Sequence, residues 1–396
     1  MHICYLTRNY DERAQGGRNP SMRHYSRRLR ELGHRVTIVS VPMHPENANT
    51  VDDNVHFTNY FASLSYDTNL AFSIWRLYSK TCDLHRASPF DLIHCLYREF
   101  DGIAAVLLRW RLKLRLVQWM YDRGYESQKA SLIETKRSRV LLPFLLMYLK
   151  YGERFVLNNA DRVLAIGQDI IDVSLAPRGY QAPKVVLVNN TVDARQFTPR
   201  APDPRELEKY TVKRPLVLMV ARIDPLKGIK EFLHVAAAVH RRRPEVNFLV
   251  VGRDKDNMLP TYLSLARELG VVDCIQWQRE RQDVQNLYPV ADCVMICTLP
   301  TLGGVSNVLL EAMASGKVVV ANRACGVPYV IRDWVNGVSI PDNEPEQFAE
   351  AIVRVLTDCT LRMRLEQEAR QTVEREFSLE KSADRLVQVY ESLMAR

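Results

Sequence analysis

The sequence predicts an α/β protein made of two domains, each a doubly wound parallel sheet. Three observations predict it. Short apolar runs alternate with amphipathic stretches, as β/α units around a parallel sheet do. The alternation runs twice, broken by the turn-rich, proline-bearing "NNTVDARQFTPRAPDPRE" from Asn189 to Glu206. The chain, at 396 residues, is also too long for one core of ordinary size.

"HICYLT" from His2 is the first expected strand. After a loop holding Gly16 and Gly17, a helix is expected near "SMRHYSRRLRELG", stopped by Gly33. Glycine takes the left-handed backbone of a helix stop without a side-chain clash. "RVTIVSV", "DLIHCL" from Asp91, "LRLVQWM" from Leu114 and "RVLAIG" from Arg162 continue the first series. The second runs through "PLVLMVA" from Pro215, "NFLVVG" from Asn247, "CIQWQ" from Cys274, "CVMIC" from Cys293 and "KVVVA" from Lys317. Beyond Ser378, Leu379, Ala383, Leu386, Val387 and Tyr390 fall at helical spacing. Ligands of such sheets sit at the carboxyl ends of the strands, so a site is expected in the cleft between the two domains.

Composition narrows the function classes. The eight cysteines are scattered and form no CxxC pair, which argues against a zinc site or a disulfide framework and for a reducing, cytoplasmic setting. "MHICYL" lacks the features of a signal peptide. The apolar run "VLLPFLLMYL" from Val140 is well short of the ~20 residues that cross a bilayer. Through Pro199 the chain has 27 Lys and Arg against 19 Asp and Glu, whereas the remainder has 27 of each. The first half therefore holds the whole positive excess, which suits anionic lipid or phosphorylated ligands. Nucleic acid fits the charge too, but no recognisable nucleic-acid module accompanies it.

"GGVSNVLLEAMASGKVVVA" from Gly303 to Ala321 reads as a loop, a short helix and a strand. Gly303 and Gly304 let the backbone approach a ligand, Ser306 is placed to cap the helix, and the amino end of a helix favours an anion. Glu311 then lies one to two turns in, where its carboxylate can accept from paired hydroxyls such as a ribose diol. The same residues also fit a buried helix with one polar residue at its edge. "VARIDPLKG" from Val220 to Gly228 follows the first strand of the second series, so Arg222 and Lys227 stand at a carboxyl end. Two cations there can clamp a diphosphate.

With these motifs in this order, the chain resembles the retaining, nucleotide-sugar-dependent glycosyltransferases of the GT-B fold, in the large family of bacterial polysaccharide and glycolipid synthases (glycosyltransferase family 4-like). The resemblance spans nearly the whole chain, through Gly16–Gly17, "ELGHRVTIVS", "NADRVLAIG", "NNTVDARQFTP", Arg222 with Lys227, and "SNVLLEAMASGKVVVA". It implies two Rossmann-like domains facing across a cleft. The first, 1–195, binds the acceptor and is joined by the helix 379–396; the second, 196–378, binds the nucleotide sugar. It implies donor contacts at Gly17, Gly304, Val305, Ser306, Asn307 and Val308, with Glu311 on the ribose and Arg222 and Lys227 on the phosphates. No metal and no cofactor beyond the donor substrate are expected. The acceptor is expected to be a glycan or a lipid-linked molecule.

The pattern is broken at named places. Gly303 stands where the family commonly has a second Glu that contacts the donor sugar. Leu96 and Tyr121 stand where His is frequent, Thr191 where Gly is usual, and Tyr329 where Glu is common. A partner protein that binds nucleotide sugar or glycan without turnover is therefore the alternative expectation. His94, at the end of its strand, is expected either to contact the transferred sugar or to bond to backbone. "DKD" from Asp254 resembles a metal-binding DxD, yet its place after "FLVVG" fits a solvated loop. "RWRLKLRLVQW" from Arg109 and "KRSRVLLPFLLMYLKYGERF" from Lys136 interleave cations with apolar residues. They fit either core elements or peripheral contact with the inner face of the plasma membrane.

Overall fold

The computed structural model describes residues 1–8, 10, 18–42, 52, 54–58, 72–134, 142–211, 213–254, 256–299 and 303–395. The chain divides into two compact units, Met1–Asn189 with Glu380–Arg396, and Asn190–Leu379.

The first unit holds strands β1 (His2–Arg8), β2 (Arg35–Val41), β3 (Val55–Phe57), β4 (Leu92–Cys95), β5 (Arg115–Met120), β6 (Arg162–Ala165) and β7 (Val185–Leu187). They form one sheet in the order β3-β2-β1-β4-β5-β6-β7, every pairing parallel. Its described helices include α1 (Arg18–Glu31), α2 (Ser73–Ala87), α3 (Phe100–Leu112), α4 (Tyr125–Glu134) and α5 (Leu142–Asn159). The strands are apolar without alternation because both faces are covered: Ile3, Cys4, Tyr5 and Leu6 are all fully buried.

The second unit repeats the plan with β8 (Leu216–Val220), β9 (Asn247–Val251), β10 (Ile275–Gln278), β11 (Cys293–Ile296), β12 (Val319–Asn322) and β13 (Val338–Ile340). Their order is β10-β9-β8-β11-β12-β13, again all parallel. Helices α6 (Ile229–Arg242), α7 (Leu259–Glu268), α8 (Asn307–Ala314), α9 (Pro345–Thr357) and α10 (Cys359–Glu376) cover it. One face buries Phe232 of α6 edge-on to Phe248, together with Phe348 of α9. The other buries Leu309, Leu310 and Met313 of α8 against Ala369 and Val373 of α10.

The expected strands are all present. The three that the sequence analysis lacks, β3, β7 and β13, have three residues each and lie at sheet edges. Three residues are too few to show a period, and an edge needs less apolar surface than a centre.

One local device recurs and pins the parallel register. An aspartate just before a strand accepts the backbone N–H of the neighbouring strand: Asp91 from His2 at 2.6 Å, Asp161 from Leu116 at 2.8 Å, and Asp292 from Leu216 at 2.9 Å. Arg109 adds a two-pronged pair to Asp161 at 2.9 and 3.0 Å, and Arg214 likewise holds Asp292.

The stretch from Asn190 belongs to the second unit for a physical reason. Arg370 of α10 donates to the carbonyls of Ala194 at 3.0 Å, Phe197 at 2.6 Å and Ala314 at 2.6 Å. The last helix, α11 (Leu379–Met394), returns to the first unit from Glu380 onward. Its spacing does what the sequence suggested: Ala383, Leu386 and Tyr390 are fully buried, with the Tyr390 hydroxyl 3.4 Å from that of Tyr5.

In the second sheet the strand order reverses between β8 and β11, so the loops leaving those strands diverge at one point. Gly228 closes the β8 loop at φ +70°, and a Cβ there would lie 1.9 Å from the Cys297 carbonyl oxygen beyond β11. Gly228→Ala is therefore expected to destabilise the second unit by about 3 kcal/mol or more, from strain and overpacking together. Denaturant unfolding of purified protein checks this; an unchanged transition would show that the contact is not tight.

Candidate functional site

The site is assembled from the carboxyl ends of β8, β11 and β12. Just after β8 the chain is packed tightly against the segment leaving β9, for a Cβ at Gly252 would lie 1.7 Å from the Ala221 carbonyl oxygen. Arg222 follows, mostly exposed, its guanidinium 3.1 Å from the Asp224 carboxylate. A single turn, Pro225–Lys227, then carries Lys227 to a half-buried position. Leu226 accepts from the Leu299 N–H at 3.0 Å, which locks the β8 loop to the β11 loop.

The Lys227 ammonium has no hydrogen bond or ion pair among the described residues, although its backbone N–H donates to the Asp224 carbonyl at 3.1 Å. Burial, and next the Arg222 guanidinium, hold its ammonium below the ordinary lysine value, while Asp224 and the Cys325 thiol oppose them. A cation kept dry beside another cation is stabilised by an anion placed between them.

Cys325 connects that cation to the glycine loop. Its sulfur accepts the Gly303 N–H at 3.3 Å, and the next residue, Gly326, donates to the Gly304 carbonyl at 3.0 Å. Gly326 has no room for a side chain: a Cβ would sit 2.7 Å from Val305 Cγ2 and 2.8 Å from its Cα. Gly303 and Gly304 are both left-handed, at φ +70° and +77°. A glutamate at 303 would therefore carry about 1 kcal/mol or more of backbone strain.

From the other side, Asn190 donates to the Val305 carbonyl at 2.9 Å and to Asn307 Oδ1. The loop from Gly303 to Ser306 is thus held on both flanks, and it delivers the chain to the start of α8. The first-turn amides of a helix have no partner within it, and its dipole places positive charge there.

One turn inside α8 lies Glu311. Its Oε2 accepts the Tyr288 hydroxyl at 2.6 Å. Burial raises its carboxyl to about 7, against the downward pull of that hydrogen bond. Glu311 keeps partial exposure, so its other oxygen remains able to accept. Two cations, a helix start and a poised carboxylate are thereby gathered in one unit, at the point where the strand order reverses.

Residues 203–372 match the family described as glycosyl transferases group 1, and residues 16–191 match the glycosyl transferase 4-like domain. The chain is a glycosyltransferase 4-like domain followed by a glycosyl transferases group 1 domain. A D-inositol 3-phosphate glycosyltransferase of Salinispora arenicola is 32% identical over 62% of this chain, and the match spans 57% of that protein's own length. One from Corynebacterium urealyticum is 28% identical over 96% of this chain and 91% of its own. Among solved structures, sucrose-phosphate synthase from Thermosynechococcus elongatus superposes with a TM-score of 0.82 at 20% identity, covering 100% of both chains. Anabaena HepE in complex with UDP and glucose gives 0.73 at 17% identity, covering 99% of this chain and 100% of that one. The architecture is that of GT-B glycosyltransferases, and the cations and glycine loop described above lie in the group 1 domain.

The structure brings Arg222, Lys227, Gly304, Val305, Ser306, Asn307, Val308 and Glu311 into this one region. Ser306 occupies the cap position with extended backbone, but its side chain makes no capping bond, contrary to expectation. The loop is instead fastened through Asn190, which sequence reasoning passed over although the Asn189–Asn190 pair was visible. Tyr288 and Cys325 were also missed, since nothing in the sequence links them to Glu311 or Gly303. Gly16 and Gly17 lie outside the described residues.

His94 does not present its ring at an open strand end. It is fully buried in β4, hydrogen-bonded through Nδ1 to the Tyr390 hydroxyl and stacked on Trp119 at 4.7 Å. Burial lowers its pKa to about 3, so it is a neutral part of the first core. Asp254 of "DKD" accepts from Met258 N at 2.8 Å and Leu259 N at 3.0 Å, which fastens the start of α7.

Because the Tyr288 bond favours the ionised form of Glu311, Tyr288→Phe is expected to move that carboxyl further above 7. A carbon-13 titration of the labelled glutamate reads it directly; an unmoved midpoint would show that the hydroxyl does not stabilise the charge.

Proposed function

We propose that the protein transfers a sugar from a nucleoside diphosphate sugar to a glycan or lipid-linked acceptor, with retention of anomeric configuration, at the inner face of the plasma membrane. The observation that carries the reading is the convergence of Lys227, Arg222 and the start of α8 on one place, with Glu311 a turn away.

The chemistry follows from those groups. The bond between the sugar's anomeric carbon and the diphosphate oxygen breaks, and negative charge grows on the departing phosphate. Arg222 and Lys227 neutralise it, and the helix start receives it with dipoles already oriented. The acceptor hydroxyl forms the new bond from the side the phosphate leaves, and its proton passes to that phosphate. Glu311 accepts the ribose hydroxyls through the oxygen that Tyr288 leaves open. Charge compensation in this scheme comes from the chain's own cations.

The test is turnover. Purified protein is offered a panel of nucleotide sugars, headed by UDP-glucose because HepE has been solved with it, together with glycan and polyprenyl-linked acceptors. Donor-dependent release of nucleoside diphosphate with a glycosylated product is expected; tight binding without release on every acceptor would overturn catalysis.

Lys227→Ala is expected to weaken nucleoside diphosphate binding by about 10- to 100-fold, as befits loss of one charge-assisted contact. Calorimetry checks it, with unchanged circular dichroism as the control. A second outcome concerns pH. Glu311 is protonated below about 7 and ionised above it, and only the carboxylate accepts from both ribose hydroxyls. Affinity for a nucleotide sugar, whose phosphates do not titrate in this range, should rise between pH 6 and pH 8. Glu311→Gln should bind more weakly and show no such rise.

A further inference from the structure

The described part of the first unit carries an aromatic surface that the donor chemistry does not use. Helices α2, α3 and α5 pack side by side, α3 in the middle. On their outer side Trp75 is 66% exposed, Trp110 50%, Met147 53% and Tyr151 61%, with Leu107 and Phe155 exposed between them. These are not scattered. Trp75, Leu107 and Trp110 line one groove between α2 and α3. Trp110 meets Phe155 edge-on at 5.7 Å, and Met147, Tyr151 and Phe155 repeat every fourth residue along α5. Large exposed apolar side chains that adjoin one another in this way mark a partner.

The charges around it say which partner. The three helices contain three acidic residues, of which Asp101 and Glu153 are buried and Asp83 is tied to Arg86 at 2.8 Å. Lys80, Arg111, Lys150 and Arg154 lie on the same three helices, Arg111 lining the groove itself. Tryptophan and tyrosine are the side chains that settle at the boundary between headgroups and hydrocarbon, and lysine and arginine beside them meet anionic headgroups. No helix among the described residues is long and apolar enough to cross a bilayer, so the surface would rest on one.

We propose that the α2–α3–α5 face docks on an anionic lipid bilayer, with Trp75 and Trp110 entering the interface and the surrounding cations on its headgroups. The inference deepens the proposed function by saying where a lipid-linked acceptor is met, but it stands on different residues.

The experiment is co-sedimentation of the full chain with vesicles of neutral phosphatidylcholine alone or with one third phosphatidylglycerol. Binding is expected to be at least about tenfold stronger to the anionic vesicles and to weaken with salt. The double variant Trp75→Ser/Trp110→Ser should lose about tenfold or more, and Arg111→Glu/Lys150→Glu should abolish the preference for anionic lipid. Brominated lipid should quench the fluorescence of the parent chain but not of the tryptophan variant. Equal binding by parent and variants, or no binding to either vesicle, overturns the proposal. So does concentration-dependent dimerisation that the tryptophan changes abolish, which would assign the face to a second copy. Nucleotide-sugar binding by the same variants should be unchanged. Absence of vesicle binding by the parent chain with donor binding intact would therefore count against this inference and leave the proposed function standing.

Discussion

The candidate donor site depends on backbone touching backbone where the second sheet reverses its strand order. Gly228 lies against the Cys297 carbonyl and Gly252 against that of Ala221, and no side chain fits at either place. The first contact draws the loops after β8 and β11 together, so that a cation on one loop and a helix start on the other can act on a single anion, and the second holds the chain leaving β8 against the chain leaving β9. Cys325 and Gly326 repeat the arrangement from β12, one by its sulfur and one by its N–H. A parallel sheet makes this possible, because every strand delivers its outgoing loop to the same edge.

Electrostatics in the second unit separate residues that hold the fold from residues held in reserve. Asp292 is paired with Arg214 and a strand N–H, and Arg370 spends its donors on three carbonyls. Such groups are satisfied and have nothing left for a ligand. Lys227 and Glu311 are the opposite case: one cation and one acid, each taken partly out of water, with the charged form of each disfavoured by burial. An unpaired charge kept dry costs stability, and the usual reason to keep it is a ligand that completes it.

The first unit shows how little a residue's type says when its burial is unknown. His94 stands at a strand end in the sequence, yet the aromatic stack of Trp119 and the hydroxyl of Tyr390 enclose it. Tyr390 comes from the last helix, 296 positions further on. The same unit buries Arg98 with Glu153 at 2.6 Å and beside Asp122 at 3.0 Å, while Trp75 and Trp110 stay in water. Charged groups inside and tryptophans outside reverse the simple hydropathy order, and tertiary contacts alone explain both.

The sequence by itself determined the two series of β/α units, the ten longer strands, the linker, the return of the last helix as an amphipathic segment, and the chemical character of Arg222, Lys227 and Glu311. Period and turn chemistry are local, and they survive without knowledge of neighbours. Only the tertiary structure decided the three-residue edge strands, the anchoring of the glycine loop by Asn190 rather than by a Ser306 cap, the pairing of Tyr288 with Glu311, and the enclosure of His94. Each of these depends on groups between 17 and 296 positions apart being brought into contact, and no pattern read along the chain records that distance being closed.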